Sequence, residues 1–115
     1  MSQTSRSSVV AKRQSRAPIF AALGDQTRLL LVAKLCRGQP SSISELTEGS
    51  ELTRQAITKH LRVLENVGIV HKVRAGRERR FKFDPEPLEE IKEYLALVSE
   101  QWDHALARLK AFVEE

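Results

Sequence analysis

Residues 42–70 read SISELTEGSELTRQAITKHLRVLENVGIV. Ser44 leads into Glu45-Leu46-Thr47-Glu48, a short helix, and Gly49-Ser50-Glu51-Leu52 makes a tight turn. Thr53 is placed to cap a longer helix running to about Val67, with Gly68 ending it. Within the longer helix Ala56, Ile57, Leu61 and Leu64 fall on one face, at spacings of one, four and three. That face is buried if the stretch is helical. A short helix, a glycine-containing turn and a longer helix is the helix-turn-helix plan. The outer face carries Arg54, Gln55, Thr58, Lys59 and Arg62. Arginine pairs with guanine, glutamine with adenine, and threonine with either or with a thymine methyl. A recognition helix uses its N-terminal residues for bases, and these residues sit there.

Immediately downstream, Ile69–Arg74 and Arg77–Phe83 read as two strands joined by a turn at Ala75-Gly76. The alternation suggests Val73, Phe81 and Phe83 on one face, with Lys72, Arg74, Arg80 and Lys82 facing solvent. Arg74, Arg77, Arg79 and Arg80 cluster round the tip, which suits a phosphate backbone or a narrow minor groove. Charge sharpens this reading. Residues 53–83 carry nine bases against two acids, a balance of +7, while residues 84–115 balance at −6, inside a total of only +4. A basic block confined to one structural unit is the electrostatic footprint expected for nucleic acid.

Upstream, residues 1–15 are polar, small and basic and read as a flexible arm, leaving residues 16–115 as one domain. Pro18 suits a first helical turn, Ile19, Phe20 and Leu23 share a face, and Gly24 stops the helix. Asp25 caps the next helix, which runs to about Arg37 and ends at Gly38. Asp25 and Arg28 read as a cap and an ion pair. The run Leu29-Leu30-Leu31-Val32-Ala33 with Leu35-Cys36 is apolar almost all round, which predicts a central helix. Cys36 reads as a small buried hydrophobe.

Downstream, Asp84-Pro85-Glu86-Pro87 breaks the strand and opens a long helix over residues 86–114. Alternating steps of three and four from Leu88 meet Ile91, Leu95, Val98, Trp102, Ala105, Leu109 and Phe112, all apolar, and Leu106 borders this seam. A seam near a 3.5 repeat on so long a helix predicts pairing with a second copy. The fold expected is mainly α: a winged helix-turn-helix with a small β-hairpin wing and a long C-terminal dimerisation helix.

The runs FAALGDQTRLLLVAKL (residues 20–35), ISELTEGSELTRQAITKHLRVLENVGIV (43–70) and RAGRERRFKFDPEPL (74–88) together resemble the ArsR family of small winged-helix repressors. The resemblance covers residues 17–88 closely and the last helix more loosely. It implies a bacterial or archaeal homodimer that binds operator DNA and is released by a signal. It implies that Thr53, Arg54, Gln55, Thr58, Lys59 and His60 lie on the recognition helix, and Arg77 and Arg79 on the wing. It also implies dimerisation through the first and last helices, and so through Phe20, Leu88, Ile91, Leu95, Val98, Trp102, Leu106 and Leu109.

Many members of that family sense metals or arsenic through cysteines near the recognition unit, or through Asp, His and Glu on the last helix. Here the helix ISELTEGS has no cysteine, and the last helix offers Asp103 and His104 without a second histidine. The expectation is no metal site, no cofactor and an unknown effector, with metal or redox sensing as the alternative. A dimer that does not switch, or one that docks a protein, is the other alternative. No nucleophile elbow, P-loop or metalloprotease motif is present, so an enzyme is not expected. No apolar run nears the ~20 residues of a membrane span. One cysteine excludes an intrachain disulfide framework, and the cytoplasm is the compartment expected.

Overall fold

The computed structural model describes residues 16–114; the arm proposed over residues 1–15 lies outside them. Helix α1 covers residues 16–23 of the described chain. It is followed by α2 (Gln26–Cys36), α3 (Ile43–Thr47), α4 (Arg54–Asn66), β1 (Val70–Ala75), β2 (Glu78–Phe83) and α5 (Glu86–Glu114). A winged helix-turn-helix results, mainly helical, with one antiparallel hairpin.

Local chemistry sets each boundary. Asp25 caps α2 by accepting from the Arg28 N–H, and Thr53 caps α4 by accepting from the Ala56 N–H. Helix α3 begins earlier than its sequence suggested. Ser42, not Ser44, is its cap, in a reciprocal capping box with Glu45. The C-terminus of α4 is closed by two bonds, Gly68 N–H to Glu65 O and Ile69 N–H to Leu64 O. Gly68 takes φ +81°, where a Cβ would be strained. Asp84 opens α5, accepting from the Glu86 N–H.

The core is shared by all elements. Ile19 and Ala22 of α1, Leu31, Val32 and Leu35 of α2 and Leu46 of α3 meet Ile57, Leu61 and Leu64 of α4. Ile69, Val70, Phe81 and Ile91 close the cluster. Leu61 and Leu64 are fully buried. Each such leucine contributes about 1.5–3 kcal/mol of burial free energy. Ser41 pairs with Phe81 through both backbone bonds and covers the free edge of β2.

Two sequence expectations change. The hairpin turn is Gly76-Arg77, because Ala75 pairs with Glu78. Gly76 alone has positive φ, as a type II′ turn requires at its first central position. Across a two-residue turn, facing residues have opposite parity. Val70 therefore faces Phe83, Lys72 faces Phe81 and Arg74 faces Arg79. The core-side face holds Val70, Lys72 and Arg74 with Arg79, Phe81 and Phe83, and Val73 lies on the other face with Arg80 and Lys82. The expected grouping of Val73 with Phe81 and Phe83 had carried the alternation across the turn without that flip.

Second, α2 is not enclosed all round. Leu29 and Leu30 are 53% and 58% exposed, and Ala33 and Cys36 are also exposed. Leu31, Val32 and Leu35 take the core positions, so Cys36 is turned outward rather than buried. Helix α5 buries only Ile91, so most of the apolar seam expected to meet a second copy is left uncovered by the described part of this chain.

Candidate nucleic-acid interface

The cap at Thr53 starts α4 so that Ile57, Leu61 and Leu64 point inward. The opposite side then presents Arg54, Gln55, Lys59 and Arg62 to solvent. Gln55, Lys59 and Arg62 have no ion-pair or hydrogen-bond partner among the described residues, so their polar ends are available to a ligand. Arg54 donates to Ser44 Oγ at 2.7 Å and is steered along the helix-turn-helix junction. Thr58 is half-buried, and its hydroxyl donates to Arg54 O at 2.7 Å. With its hydroxyl committed to the helix backbone, the methyl is the group of this side chain that carries no bond. Thr53 is exposed, with its hydroxyl engaged by the cap.

His60 departs from this row. Its Nδ1 lies 3.1 Å from an Arg28 guanidinium nitrogen and 3.7 Å from Asp25 Oδ2. The ring is directed at the start of α2. Arg28 in turn does not pair with Asp25 through its side chain, as the sequence suggested. Its guanidinium donates to the Ala22 and Ala21 carbonyls at the end of α1 and to His60. Asp25 is occupied as the cap, and the Arg28 N–H holds its carboxyl below the ordinary aspartate range, with smaller help from nearby charge.

On the wing, Arg74 and Arg79 are direct cross-strand partners, both exposed. Like charges placed so are destabilising in the free protein. Neither has a carboxylate partner among the described residues, whereas an anion between them would convert repulsion into binding. Lys72, Val73, Arg74 and Arg79 line one shallow open depression. Lys72 shares their face and reaches Glu65 of α4 at 3.9 Å. Sequence reasoning left Lys72 out of the site, and the parity flip across the turn was the signal that would have included it. Arg77 occupies the turn and is exposed.

Arg80 is different again. It pairs with Glu45 at 2.9 Å and Glu78 at 3.0 Å and donates to Pro40 O at 3.0 Å. It pins the wing to α3 and does not belong with the tip arginines. The Ser42 backbone and hydroxyl, and then Arg80, hold Glu45 below the usual carboxylate range.

The expected partner surface is split by depth. Leu88 is half-buried and Ile91 buried against the core. Phe20 of α1 meets Tyr94 edge-on at 6.0 Å, and Arg16 lies 4.8 Å over the same ring. Val98 is half-buried. Beyond it Trp102, Leu106, Leu109 and Phe112 are 64%, 62%, 58% and 76% exposed. Ala105 is also exposed, as are Leu95 before it and Leu97 and Val113 beside it. Asp103 and His104 are exposed too, and among the described residues no three His, Cys, Asp or Glu side chains converge on one point. Partial desolvation raises the pKa of the outward-facing Cys36 thiol above its ordinary value. No described helix is long and apolar enough to cross a membrane.

Comparison with known proteins is consistent with this geometry. Residues 25–72 match the family described as bacterial regulatory protein, arsR family. The HTH-type transcriptional regulator YuzN of Bacillus subtilis is 42% identical over 79 residues, which is 64% of this chain and 86% of that protein. An ArsR-like transcriptional regulator from Rhodococcus sp. RHA1 superimposes with a TM-score of 0.72 at 34% identity, over 89% of this chain and 95% of its own. A homodimeric winged helix-turn-helix DNA-binding domain from Mycobacterium bovis shares the fold, with a TM-score of 0.63 at 17% identity over 83% of this chain and 88% of that one.

Proposed function

The chain belongs to the arsR family of bacterial regulatory proteins and is a DNA-binding transcriptional regulator, and from that premise we propose that it is a cytoplasmic homodimeric repressor acting on an inverted-repeat operator. The observation that carries the reading is the outward row on α4. Gln55, Lys59 and Arg62 are exposed and uncommitted beside a wing whose Arg74 and Arg79 face each other without a neutralising acid. In this reading Gln55 and the Thr58 methyl contact base edges in the major groove. Arg54, Lys59 and Arg62 contact phosphate or guanine, and Arg74, Arg77 and Arg79 take the neighbouring minor groove or backbone. His60 contributes from behind the helix, as its contact with Arg28 indicates.

The homodimer rests on α5. Its exposed apolar residues from Trp102 to Val113 extend a surface that no described part of the same chain covers. Two copies related by a two-fold axis bury that surface and place two recognition helices in successive major grooves, about 34–36 Å apart. The acidic last helix turns away from DNA and lets the basic face lead. Repression follows if the operator overlaps a promoter.

Selection of duplexes from a random pool tests this. The expected result is an inverted repeat with half-sites one helical turn apart, bound with steep salt dependence. Enrichment of a single asymmetric site, or of none, would contradict it. A protein-docking winged helix would show little sequence preference and little salt dependence.

A further inference from the structure

Helix α2 is capped by Asp25 alone, so the Arg28 side chain is not needed for its own helix. The guanidinium instead leaves α2 and spans two others. It donates to the Ala22 and Ala21 carbonyls, which end α1, and to Nδ1 of His60, in the middle of α4. Arginine has only donors, so the 3.1 Å contact assigns His60 Nδ1 as acceptor and the ring proton to Nε2, with Asp25 Oδ2 further away at 3.7 Å. A planar fork presents separate nitrogens to the Ala22 carbonyl, the Ala21 carbonyl and His60 in one fixed geometry, which the single nitrogen of a lysine does not reproduce.

Both ends of this bridge matter. His60 follows Lys59 directly and is 23% exposed at its side chain, so fixing its ring fixes the rotation of the outward row on α4. At the other end, α1 packs on α5 through Phe20 on Tyr94 and Arg16 on Glu90, at 3.7 Å for the latter pair. We infer that Arg28 is a positioning residue for DNA recognition, which sets the orientation of α4 through His60 against the end of α1. It links the recognition helix to the α1–α5 face without itself touching DNA. The inference rests on the reading of α4 as the recognition helix.

The test uses the full chain and an inverted-repeat duplex selected by the parent, with a scrambled duplex of the same composition as control. Arg28→Lys removes the fork and keeps the charge. His60→Phe removes the acceptor and keeps a ring, and His60→Gln restores an acceptor. Arg28→Lys and His60→Phe should each lower affinity for the selected duplex about tenfold, as expected for loss of one charge-assisted bond. The scrambled duplex should be bound as before, and the slope of affinity against salt should not change, because no phosphate contact is lost. His60→Gln should recover most of the affinity. The double variant Arg28→Lys/His60→Phe should lose no more than either single change. Nitrogen NMR of His60 should show the Nε2–H tautomer in the parent and a mixture in Arg28→Lys.

Parental affinity in both single variants, or additive losses in the double variant, would overturn the inference. So would a salt slope reduced by about one in Arg28→Lys, which would make Arg28 a phosphate contact. If Arg28→Lys melts well below the parent, the His60 pair reads the same contact from its other side. Gln55→Ala separates the two levels. If it leaves duplex selection unchanged, the recognition-helix reading fails; if it changes selection while the Arg28 and His60 variants do not change affinity, only the positioning role fails.

Discussion

Single residues decide what each basic side chain is for. Composition treats Arg54, Arg74, Arg77, Arg79 and Arg80 alike, but their partners separate them. Arg80 is neutralised by Glu45 and Glu78, Arg54 is held by Ser44, and Arg74 and Arg79 face one another. Arg54 with Ser44 and Arg80 with Glu45 are not local in sequence, so a linear reading had no means to assign them, whereas Arg74 with Arg79 follows from the hairpin register once the turn is placed. Gln55 was legible, because position on a capped helix is a local property. Replacing Gln55 with Ala should relax base preference at one position of each half-site by about 1–3 kcal/mol. An unchanged selected motif would show that Gln55 reads no base. Three carboxylates contribute to the acid sensitivity of the fold. Asp25, Glu45 and Asp84 are held below the ordinary range first by backbone N–H groups, and Asp84 also by His71 at 2.7 Å. A lowered folded pKa stabilises the fold above the unfolded value, near pH 4, and the contribution is lost as pH falls through the folded value. The parent should therefore lose melting temperature steadily below about pH 4. Asp84→Asn should melt lower than the parent at pH 7 and lose less on acidification. Equal losses in the two proteins would remove Asp84 from this account.

Elements were legible where their signals were local and periodic. Helix α4 has a threonine cap, a clean apolar face and a glycine stop, and it lies where those signals put it, ending at Asn66 with Val67 as its cap. The wing was located and the faces of β2 were assigned correctly, but Val73 of β1 was put on the face of Phe81 and Phe83, because facing residues in a two-residue hairpin change parity and a slip of one position inverts a strand. The exposed stripe Leu29, Ala33 and Cys36 on α2 has helical spacing of four and three, yet the surrounding apolar run hid it. With the register known, the wing's work can be separated from that of α4. Changing Arg77 and Arg79 together to Ala should weaken binding to all DNA sequences similarly and reduce the salt slope by about two. Arg80→Ala should leave that slope intact while lowering melting temperature, since Arg80 joins the wing to α3. Loss confined to the selected duplex in the Arg77/Arg79 variant would move those residues from backbone contact to base readout.

At the scale of the whole molecule, the single chain, over its described residues, leaves an apolar surface of α5 uncovered. Helix α5 has 29 residues and so extends about 44 Å, further than the core beneath it reaches. The apolar seam was visible in the sequence. How much of it the chain's own core would cover was not, because that depends on where α1 and the wing end. Zinc tests whether assembly brings ligands together that one chain keeps apart. Zinc added to chelator-treated protein should leave operator affinity unchanged, and a tenfold loss at stoichiometric metal would point to His104 and Asp103 across the two-fold axis. On the proposed function this regulator reads DNA as a pair, and sedimentation velocity measures that state of assembly. The parent at micromolar concentration should run at twice the 13.0 kDa chain mass. Trp102→Glu, which leaves a charge unpaired in the seam, should run as a monomer or fold poorly and lose most operator affinity. A parent that sediments at 13.0 kDa would contradict the dimer and, with it, the inverted repeat.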